Sequence, residues 1–272
     1  MSAPSPAGTP APWDLVASAY DAEVAPTFVH FAREALRLAS PAPGSRLADV
    51  ACGPGTLALH AAREGFAVDA VDFSPEMIDR LERRRRAENM ERVHAQLGDG
   101  QALPLADAAY AGAFSLFGLM FFPDRARGFS ELRRILVPGA RAVVSSWQPI
   151  DRSPAMAALF RAVQEAVPPA PGASPPPPLA LGTPEACRAE MGPAFADVEV
   201  HPVSTSVEFP SVDALWESMQ RTLVPVVLMR RELGAQAWRP LAEKVCVLAA
   251  RALGAGPVSL DLNAWLTVGT AR

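Results

Sequence analysis

The stretch 47–56 constrains the fold of this chain more than any other part of the sequence. It contains a short apolar strand with an acidic residue, Asp49, near its end, and then a turn with Gly53 and Gly55. Glycines let a backbone pass close to a ligand where a Cβ atom would clash. A helix predicted over 56–64 would aim its unsatisfied N–H groups at the same point. The stretch therefore predicts a nucleotide-type pocket between a strand and a helix.

Two more acidic residues follow at the ends of later predicted strands. Asp72 ends a strand predicted over 67–72, where a carboxylate can accept hydrogen bonds from both hydroxyls of a ribose. Asp99 lies in a loop after a third predicted strand, from which it could reach an adenine amino group. Open α/β sheets bind ligands at the carboxyl ends of their strands, so both positions favour ligand contacts over ordinary solvated loop acids.

Strand-like and helix-like segments alternate in the first half of the chain. Strands are predicted at 46–51, 67–72, 92–97, 110–116 and 140–147, and helices at 56–64, 75–88 and 124–136. Such alternation indicates right-handed βαβ units and a parallel sheet. Before it, 13–38 has helical spacing with a break at Pro26. Residues 1–12, which include four prolines, are expected to form a flexible tail.

The second half of the chain has a different organisation. The predicted elements are a helix at 153–167, a stiff proline-rich loop at 168–178, a helix at 183–191, a strand at 195–204 and a final strand at 264–270. Between the last two strands, 211–253 predicts two or more helices, broken near Pro225 and Gly234. We therefore expect one domain over 13–272.

The motifs resemble those of the class I S-adenosylmethionine (AdoMet)-dependent methyltransferases, particularly their ubiquinone/menaquinone-biosynthesis-like small-molecule branch. The similar segments are Asp49 with Cys52–Gly55, Asp72–Met77, Asp99-Gly100 with Leu103-Pro104, Ser115–Phe122 and Val137–Ala140. The resemblance covers 13–147 closely and the rest in outline. Ala51 stands where that family usually has the first glycine of its loop, but alanine is still small.

This resemblance implies a fold, a cofactor and a reaction. The fold would be a Rossmann-like, seven-stranded, mostly parallel α/β sheet with the last strand antiparallel, an N-terminal helix, and 211–253 inserted as a helical cap. The cofactor would be AdoMet. We expect the acceptor to be a small, largely apolar metabolite methylated at oxygen, with carbon and nitrogen as the alternatives. The implied cofactor-binding residues are Tyr20, Asp49, Ala51, Gly53, Gly55, Asp72, Phe73, Met77, Asp99, Gly100, Gln101 and Ser115.

Several residues have both a functional and a structural interpretation. Asp49 either orders the glycine turn or meets the methionine amino group of the cofactor, and Tyr20 either covers the cofactor or is simply half-buried. His30, on the helix expected to cover the pocket, is the candidate general base, although methyl transfer often needs only alignment and desolvation. The residues that form either a pocket wall or core are Phe117, Met120, Phe121, Phe122, Trp147 and Gln148.

Two other functions remain open at this point. The run 53–58 also fits the Gly-x-Gly-x-x-Ala pattern of NAD(P)-dependent oxidoreductases, and Asp72 would suit their ribose. The acid inside the first strand and the Asp99-Gly100 pair argue against that alternative. The second alternative function is that of a non-catalytic AdoMet-binding module that works through partners.

Composition excludes some classes of protein. The net charge of −4 argues against a general nucleic-acid binder, and four successive arginines over 83–86 span all faces of a helix rather than one stripe. Scattered cysteines and histidines give no metal-ligand spacing. No signal peptide or membrane span is predicted, so we expect a cytoplasmic protein. In the cap, Trp216 and Trp238 are expected to set the choice of acceptor.

Overall fold

A seven-stranded sheet forms the centre of the part that the computed structural model describes, residues 6–167 and 179–272. The strands are β1 (Arg46–Val50), β2 (Ala67–Asp72), β3 (Val93–Leu97), β4 (Tyr110–Leu116), β5 (Leu136–Trp147), β6 (Ala196–Phe209) and β7 (Val258–Thr270). Their order is β3-β2-β1-β4-β5-β7-β6. Strands β1 to β5 are parallel, and β7 is antiparallel to both of its neighbours. The predicted Rossmann-like fold is therefore confirmed.

Helices cover both faces of this sheet. They are α1 (Pro10–Ala19), α2 (Val29–Ala39), α3 (Thr56–Arg63), α4 (Pro75–Ala87), α5 (Arg125–Ile135), α6 (Pro154–Ala166), α7 (Pro184–Met191), α8 (Val212–Thr222) and α9 (Val224–Leu253). Side chains of β1 alternate between two apolar cores, as a strand period of two requires. Leu47 packs with α2 and α3, whereas Ala48 and Val50 pack on the opposite face with α5.

The strand order reverses at β1, whose two neighbours are β2 and β4. The chain runs outward from β1 to β3 and then returns to pair β4 on the other side of β1. Such a switch point opens a crevice at the carboxyl ends of the strands, where α/β sheets bind ligands. The glycine turn predicted at 51–55 lies at this point.

The N-terminal residues form regular structure, which corrects the predicted flexible tail at 1–12 for residues 6–12. Pro6–Gly8 form a 3-10 turn, and α1 begins at Pro10. The indole Nε1 of Trp13 donates to the carbonyl of Ala7 at 2.8 Å. Pro10 stands in the first turn of the helix, where its fixed φ is favourable and its missing N–H costs nothing. Proline here starts a helix instead of preventing one.

The chain between α1 and α2 is not one helix with a single break. Tyr20–Val24 form a π-helical turn, and Ala25–Phe28 form a 3-10 turn that contains the predicted break at Pro26. A π-helical turn is rare and occurs frequently at functional sites. It carries Tyr20, one of the predicted site residues.

The helical cap lies between β6 and β7, where it was predicted. Helices α8 and α9 pack with α6 around Trp216 and Trp238, which are 3% and 4% exposed. Gly234, with φ of +74°, breaks α9 into two helical segments. Strands β6 and β7 extend beyond the predicted 195–204 and 264–270 and pair with each other as far as Phe209 and Val258, next to the cap. The predicted proline-rich loop at 168–178 falls outside the described residues.

None of the described helices is both long enough and apolar enough to cross a membrane.

Candidate functional site

A cavity of about 350 Å³ opens at the carboxyl ends of β1, β2 and β4. Its walls come from the N-terminal segment, the π-helical turn, the glycine turn, and the loops that follow β2, β3 and β4. The lining residues are Ala7, Gly8, Thr9, Pro10, Trp13, Tyr20, Ala51, Gly53, Asp72, Phe73, Met77, Gly98, Asp99, Gly100, Gln101, Leu116, Phe117, Gly118, Phe121, Phe122 and Pro123. The topology therefore brings most of the predicted cofactor-binding residues to one place.

Gly53 and Gly55 of the glycine turn are each required to lack a side chain, but for different structural reasons. Both adopt positive φ, +54° at Gly53 and +84° at Gly55. A Cβ atom on Gly53 would meet only the sulfur of Met77, at 4.0 Å, so the space beside it is free for a ligand. A Cβ atom on Gly55 would collide with Leu81 instead. Gly53 thus borders the cavity, whereas Gly55 lets α4 pack against the turn and does not border the cavity.

Ala51 occupies the place of the family's first glycine, and a neighbouring glycine accommodates its methyl group. A Cβ atom on Gly118 would collide with the Cβ atom of Ala51. Ala51 and Phe117 have φ of +56° and +58°, a conformation that residues other than glycine rarely adopt. Both border the cavity. Such uncommon backbone conformations concentrate at functional sites, where surrounding contacts hold them in place.

Asp72 fixes the glycine turn and still borders the cavity. Its Oδ2 accepts from the backbone N–H of Gly53 at 2.8 Å, and its Oδ1 accepts from that of Ser74 at 2.9 Å. Burial raises the pKa of this carboxyl to about 6, against the lowering effect of these backbone donors. Each carboxylate oxygen has a second lone pair. The side chain can therefore accept ligand hydroxyls while it holds the turn.

Asp49 orders the turn and does not border the cavity. It is 2% exposed, and its Oδ2 accepts from the backbone N–H of Ala58 in the first turn of α3 at 3.1 Å. Burial raises the pKa of this carboxyl to about 7. The sequence left two roles open for Asp49, ordering the glycine turn and contacting the methionine amino group of the cofactor. The hydrogen bond to Ala58 fits the first of these roles. A carboxylate at this position also complements the positive end of the helix dipole.

Asp99 and Gln101 form a small polar network at the opposite wall. Oδ1 of Asp99 accepts from the backbone N–H of Gln101 at 2.8 Å and from its Nε2 at 3.1 Å. Oε1 of Gln101 accepts from the backbone N–H of Asp124 at 2.8 Å. A Cβ atom on Gly100, between them, would collide with the ring of Phe122. The loop after β3 is therefore locked against the residues that follow β4.

Tyr20 lies between the cavity and an aromatic cluster. Its ring meets Trp13 edge-on at a centroid distance of 6.3 Å and Phe28 at 6.1 Å. Burial raises the pKa of its phenol well above the usual value, and the Asp72 carboxylate adds to this effect. The phenol therefore stays neutral at physiological pH, and its position fits the predicted cover over a cofactor.

Four predicted residues lie outside the cavity lining: Asp49, Gly55, Ser115 and His30. Ser115 is fully buried, and its Oγ accepts from the backbone N–H of Leu119 at 3.1 Å, which shapes the turn after β4. His30 on α2 packs against Phe31, and its Nδ1 lies 3.1 Å from the Arg33 guanidinium. Its placement gives no support to a role as general base.

The apolar residues around β4 and β5 divide between wall and core. Phe117, Phe121 and Phe122 border the cavity, whereas Met120 is 4% exposed within the core. Trp147 and Gln148, for which either a wall or a core position was open, do not border the cavity. Trp147 stacks on Phe117 with 4.1 Å between ring centroids, so it supports the wall from behind. The Nε2 of Gln148 donates to the carbonyl of Ala264.

The N-terminal segment 7–10 and Trp13 line the cavity, and the sequence analysis missed them. Trp13 meets Phe121 at a centroid distance of 5.4 Å, and a Cβ atom on Gly8 would lie 3.3 Å from Pro123. The segment thus lies directly against the residues after β4. Thr9-Pro10 is a helix-start signal that could have indicated a helix here. The proline content of the segment favoured a flexible tail instead.

Acidic, histidine and cysteine side chains do not cluster in groups of three that could hold a metal ion anywhere in 6–167 or 179–272.

Comparison with known proteins agrees with this geometry. A family model described as a methyltransferase domain matches residues 47–139. A demethylmenaquinone methyltransferase of Thermus thermophilus is 35% identical over 119 residues, 43% of this chain and 54% of the relative. An uncharacterized protein of Mycobacterium tuberculosis is 37% identical over 105 residues, 39% of this chain and 38% of the relative. The segment 47–139 of this chain is therefore similar to methyltransferase domains, including that of a demethylmenaquinone methyltransferase.

Solved structures extend the similarity of fold to the whole chain. The [4+2]-cyclase SpnF superposes with a TM-score of 0.60 at 19% identity, covering 99% of each chain. The curated relatives above are matched over about half of their own length or less. The sequence similarity is therefore concentrated in the segment that carries the glycine turn and the acidic residues.

Proposed function

We propose that this protein transfers a methyl group from AdoMet to the oxygen of a small, largely apolar acceptor. The observation that carries the proposal is the open space beside Gly53 next to the buried carboxylate of Asp72. A branched side chain at 53 would fill this space, and Asp72 offers the acceptor oxygens that a ribose requires. The methyltransferase-domain match covers both residues.

The residues around the cavity suit the parts of AdoMet. Asp72 would hold the ribose hydroxyls, Asp99 the adenine amino group, and the turn at Gly53 the methionine part by its backbone. Tyr20 would cover the cofactor from the side of α1. When bound, AdoMet supplies a methyl group on a positively charged sulfur, which is already a good electrophile.

The chain's contribution to the reaction would be alignment and exclusion of water. Aromatic rings at Trp13, Phe117, Phe121 and Phe122 form the apolar part of the wall. An apolar acceptor held there loses its hydration, and alignment of reacting groups removes much of the entropic barrier. This part of the wall supports an apolar acceptor.

The cap does not contribute described residues to this wall. Trp216 donates from Nε1 to the carbonyl of Ala242 at 3.1 Å, and Trp238 donates to Oε1 of Gln220 at 2.8 Å. Both indoles belong to the cap's own core. We therefore propose that Trp13 and the aromatic rings after β4 select the acceptor, in place of Trp216 and Trp238.

The NAD(P)-dependent alternative has less support. Its usual sheet has the order 3-2-1-4-5-6, whereas here the last strand lies between β5 and β6 and runs antiparallel to both. The family match also describes a methyltransferase domain.

The test combines binding and turnover. Calorimetry should show binding of AdoMet and of S-adenosylhomocysteine, and weaker or no binding of NADH. A panel of phenols, carboxylates, quinols and amines with methyl-labelled AdoMet should then give label transfer to an oxygen acceptor. AdoMet binding without transfer to any member would support the non-catalytic module, and NADH binding in preference to AdoMet would refute the proposal.

A further inference from the structure

Two carboxylates on the π-helical turn Tyr20–Val24 connect it to two different parts of the protein. Asp21 accepts from Nη1 of Arg84 at 3.3 Å, and the same Nη1 donates to the carbonyl of Pro54 in the glycine turn at 3.2 Å. Glu23 points the other way, toward the cap. The turn that carries Tyr20 is thus held between the cofactor side and the cap.

Glu23 receives three hydrogen bonds from one face of α8. Its Oε2 accepts from Oγ of Ser218 at 2.6 Å, and its Oε1 accepts from Nε of Arg221 at 2.7 Å, with Nη2 of Arg221 3.3 Å from Oε2. Ser218 and Arg221 are three residues apart and so lie on the same side of the helix. The Arg221 side chain is 48% exposed, but Ser218 is only 6% exposed, so the Ser218 hydroxyl is the buried part of this contact.

A small apolar cluster joins the same elements beside this polar contact. Val224, at the start of α9, packs with Val16 and Ala17 of α1 and with Met77 of α4. Tyr20 and Trp13 pack against this cluster and also line the cavity. The cap therefore touches the back of the residues whose front faces the cavity.

We propose that Glu23 is a positioning residue through which the helical cap sets the place of Tyr20 at the cavity. The cap then acts on cofactor binding without lining the site. The π-helical turn is a single turn, and none of its five residues is buried. The two carboxylate contacts tie this turn to the glycine-turn side and to the cap. This inference rests on the proposed AdoMet site.

The test compares Glu23→Ala and Glu23→Gln with the wild-type protein. Glu23→Ala should weaken AdoMet binding by at least about fivefold, the lower end of typical coupling between sites. It should also speed amide hydrogen exchange in peptides that cover 20–25. Glu23→Gln keeps an acceptor for Ser218 or Arg221 and should recover part of both effects. Both measurements are made well below the melting temperature, so that lost stability alone does not change the affinity.

A matched control is available in the same cap. Arg239→Ala removes an exposed ion pair with Glu243, 3.1 Å long, on α9. It should change neither the AdoMet affinity nor exchange at 20–25. If Glu23→Ala fails to fold, Ser218→Ala removes one of the same hydrogen bonds with little change of volume and should show the same two effects in smaller degree.

Unchanged affinity together with unchanged exchange at 20–25 in Glu23→Ala, or in Ser218→Ala where it replaces that variant, would overturn the inference. A wild-type protein that does not bind AdoMet would instead refute the proposed function. In that case the exchange data alone decide whether Glu23 holds the turn.

Discussion

The buried carboxyl of Asp49 gives the sharpest prediction, because its protonation links stability to pH. Its folded pKa of about 7 lies above its ordinary value of 3.8. The folded state therefore holds this proton more tightly than the unfolded chain does. The stability that this group contributes is fully present below about pH 4 and is lost as pH rises through about 7.

The size of this loss follows from the two pKa values. Each pKa unit corresponds to 1.36 kcal/mol, so the gap amounts to roughly 4 kcal/mol between the ionised and neutral forms. Between about pH 5 and about pH 8, the wild-type protein should lose roughly 2–3 kcal/mol of unfolding free energy through this group. Asp49→Asn can still accept the hydrogen bond from Ala58 but carries no charge at any pH.

The assay is urea unfolding of both proteins at the two pH values, followed by tryptophan fluorescence. The difference in unfolding free energy, variant minus wild type, should rise by roughly 2–3 kcal/mol from the lower to the higher pH. Groups that do not interact with Asp49 titrate equally in both proteins and cancel, whereas the charge of Asp72, which raises the pKa of Asp49, is part of the measured difference. Asp79→Asn, which replaces a half-exposed acid paired with Arg83, is measured alongside as the control variant. A flat difference for Asp49→Asn would refute the reasoning.

Three further predictions address the cavity. Asp72→Ala should weaken AdoMet binding by roughly one to two decades, the worth of a charge-assisted hydrogen bond, while Asp79→Ala leaves it unchanged in calorimetry. Activity should survive EDTA, since the described residues form no metal cluster; a loss that magnesium restores would contradict this. Trp13→Ala should alter acceptor KM or acceptor choice. Trp216→Ala should lower the melting temperature through a loss of roughly 3–5 kcal/mol of unfolding free energy and leave the acceptor profile unchanged. The reverse pattern would show that the cap selects the acceptor.

The sequence was most informative where one residue type has a single physical reason to be present. The glycine turn, the acid at the end of β2 and the start of the helix predicted at 75–88 each combine a backbone requirement with a chemical group. In the structure, Oγ of Ser74 accepts from the backbone N–H of Met77, as a capping residue does. These local signals, repeated in alternation, were sufficient to predict a parallel sheet with a pocket at the carboxyl ends of its strands, whereas the antiparallel last strand was implied by the family resemblance.

The sequence was least informative where the role depends on what packs behind a residue. Gly53 and Gly55 look alike in the sequence, yet only the position of Leu81, more than twenty residues later, makes one a packing glycine and the other a ligand-facing one. Phe117 and Trp147 could each have been wall or core, and only the structure assigns Phe117 to the wall and Trp147 to the ring stacked behind it.

The N-terminal segment shows how a compositional argument fails. Proline and small residues at 1–12 predict disorder because they cannot form a core by themselves. Part of this segment does not need its own core, since Trp13 and the rings after β4 supply apolar surface, and Pro10 begins α1. Whether such a segment folds is decided by a partner surface more than a hundred residues away in the chain. If that surface also holds the acceptor, the segment is part of the site as well as packed against it. Trp13→Ala distinguishes a role in acceptor binding, which would alter acceptor KM or choice, from a role in packing alone.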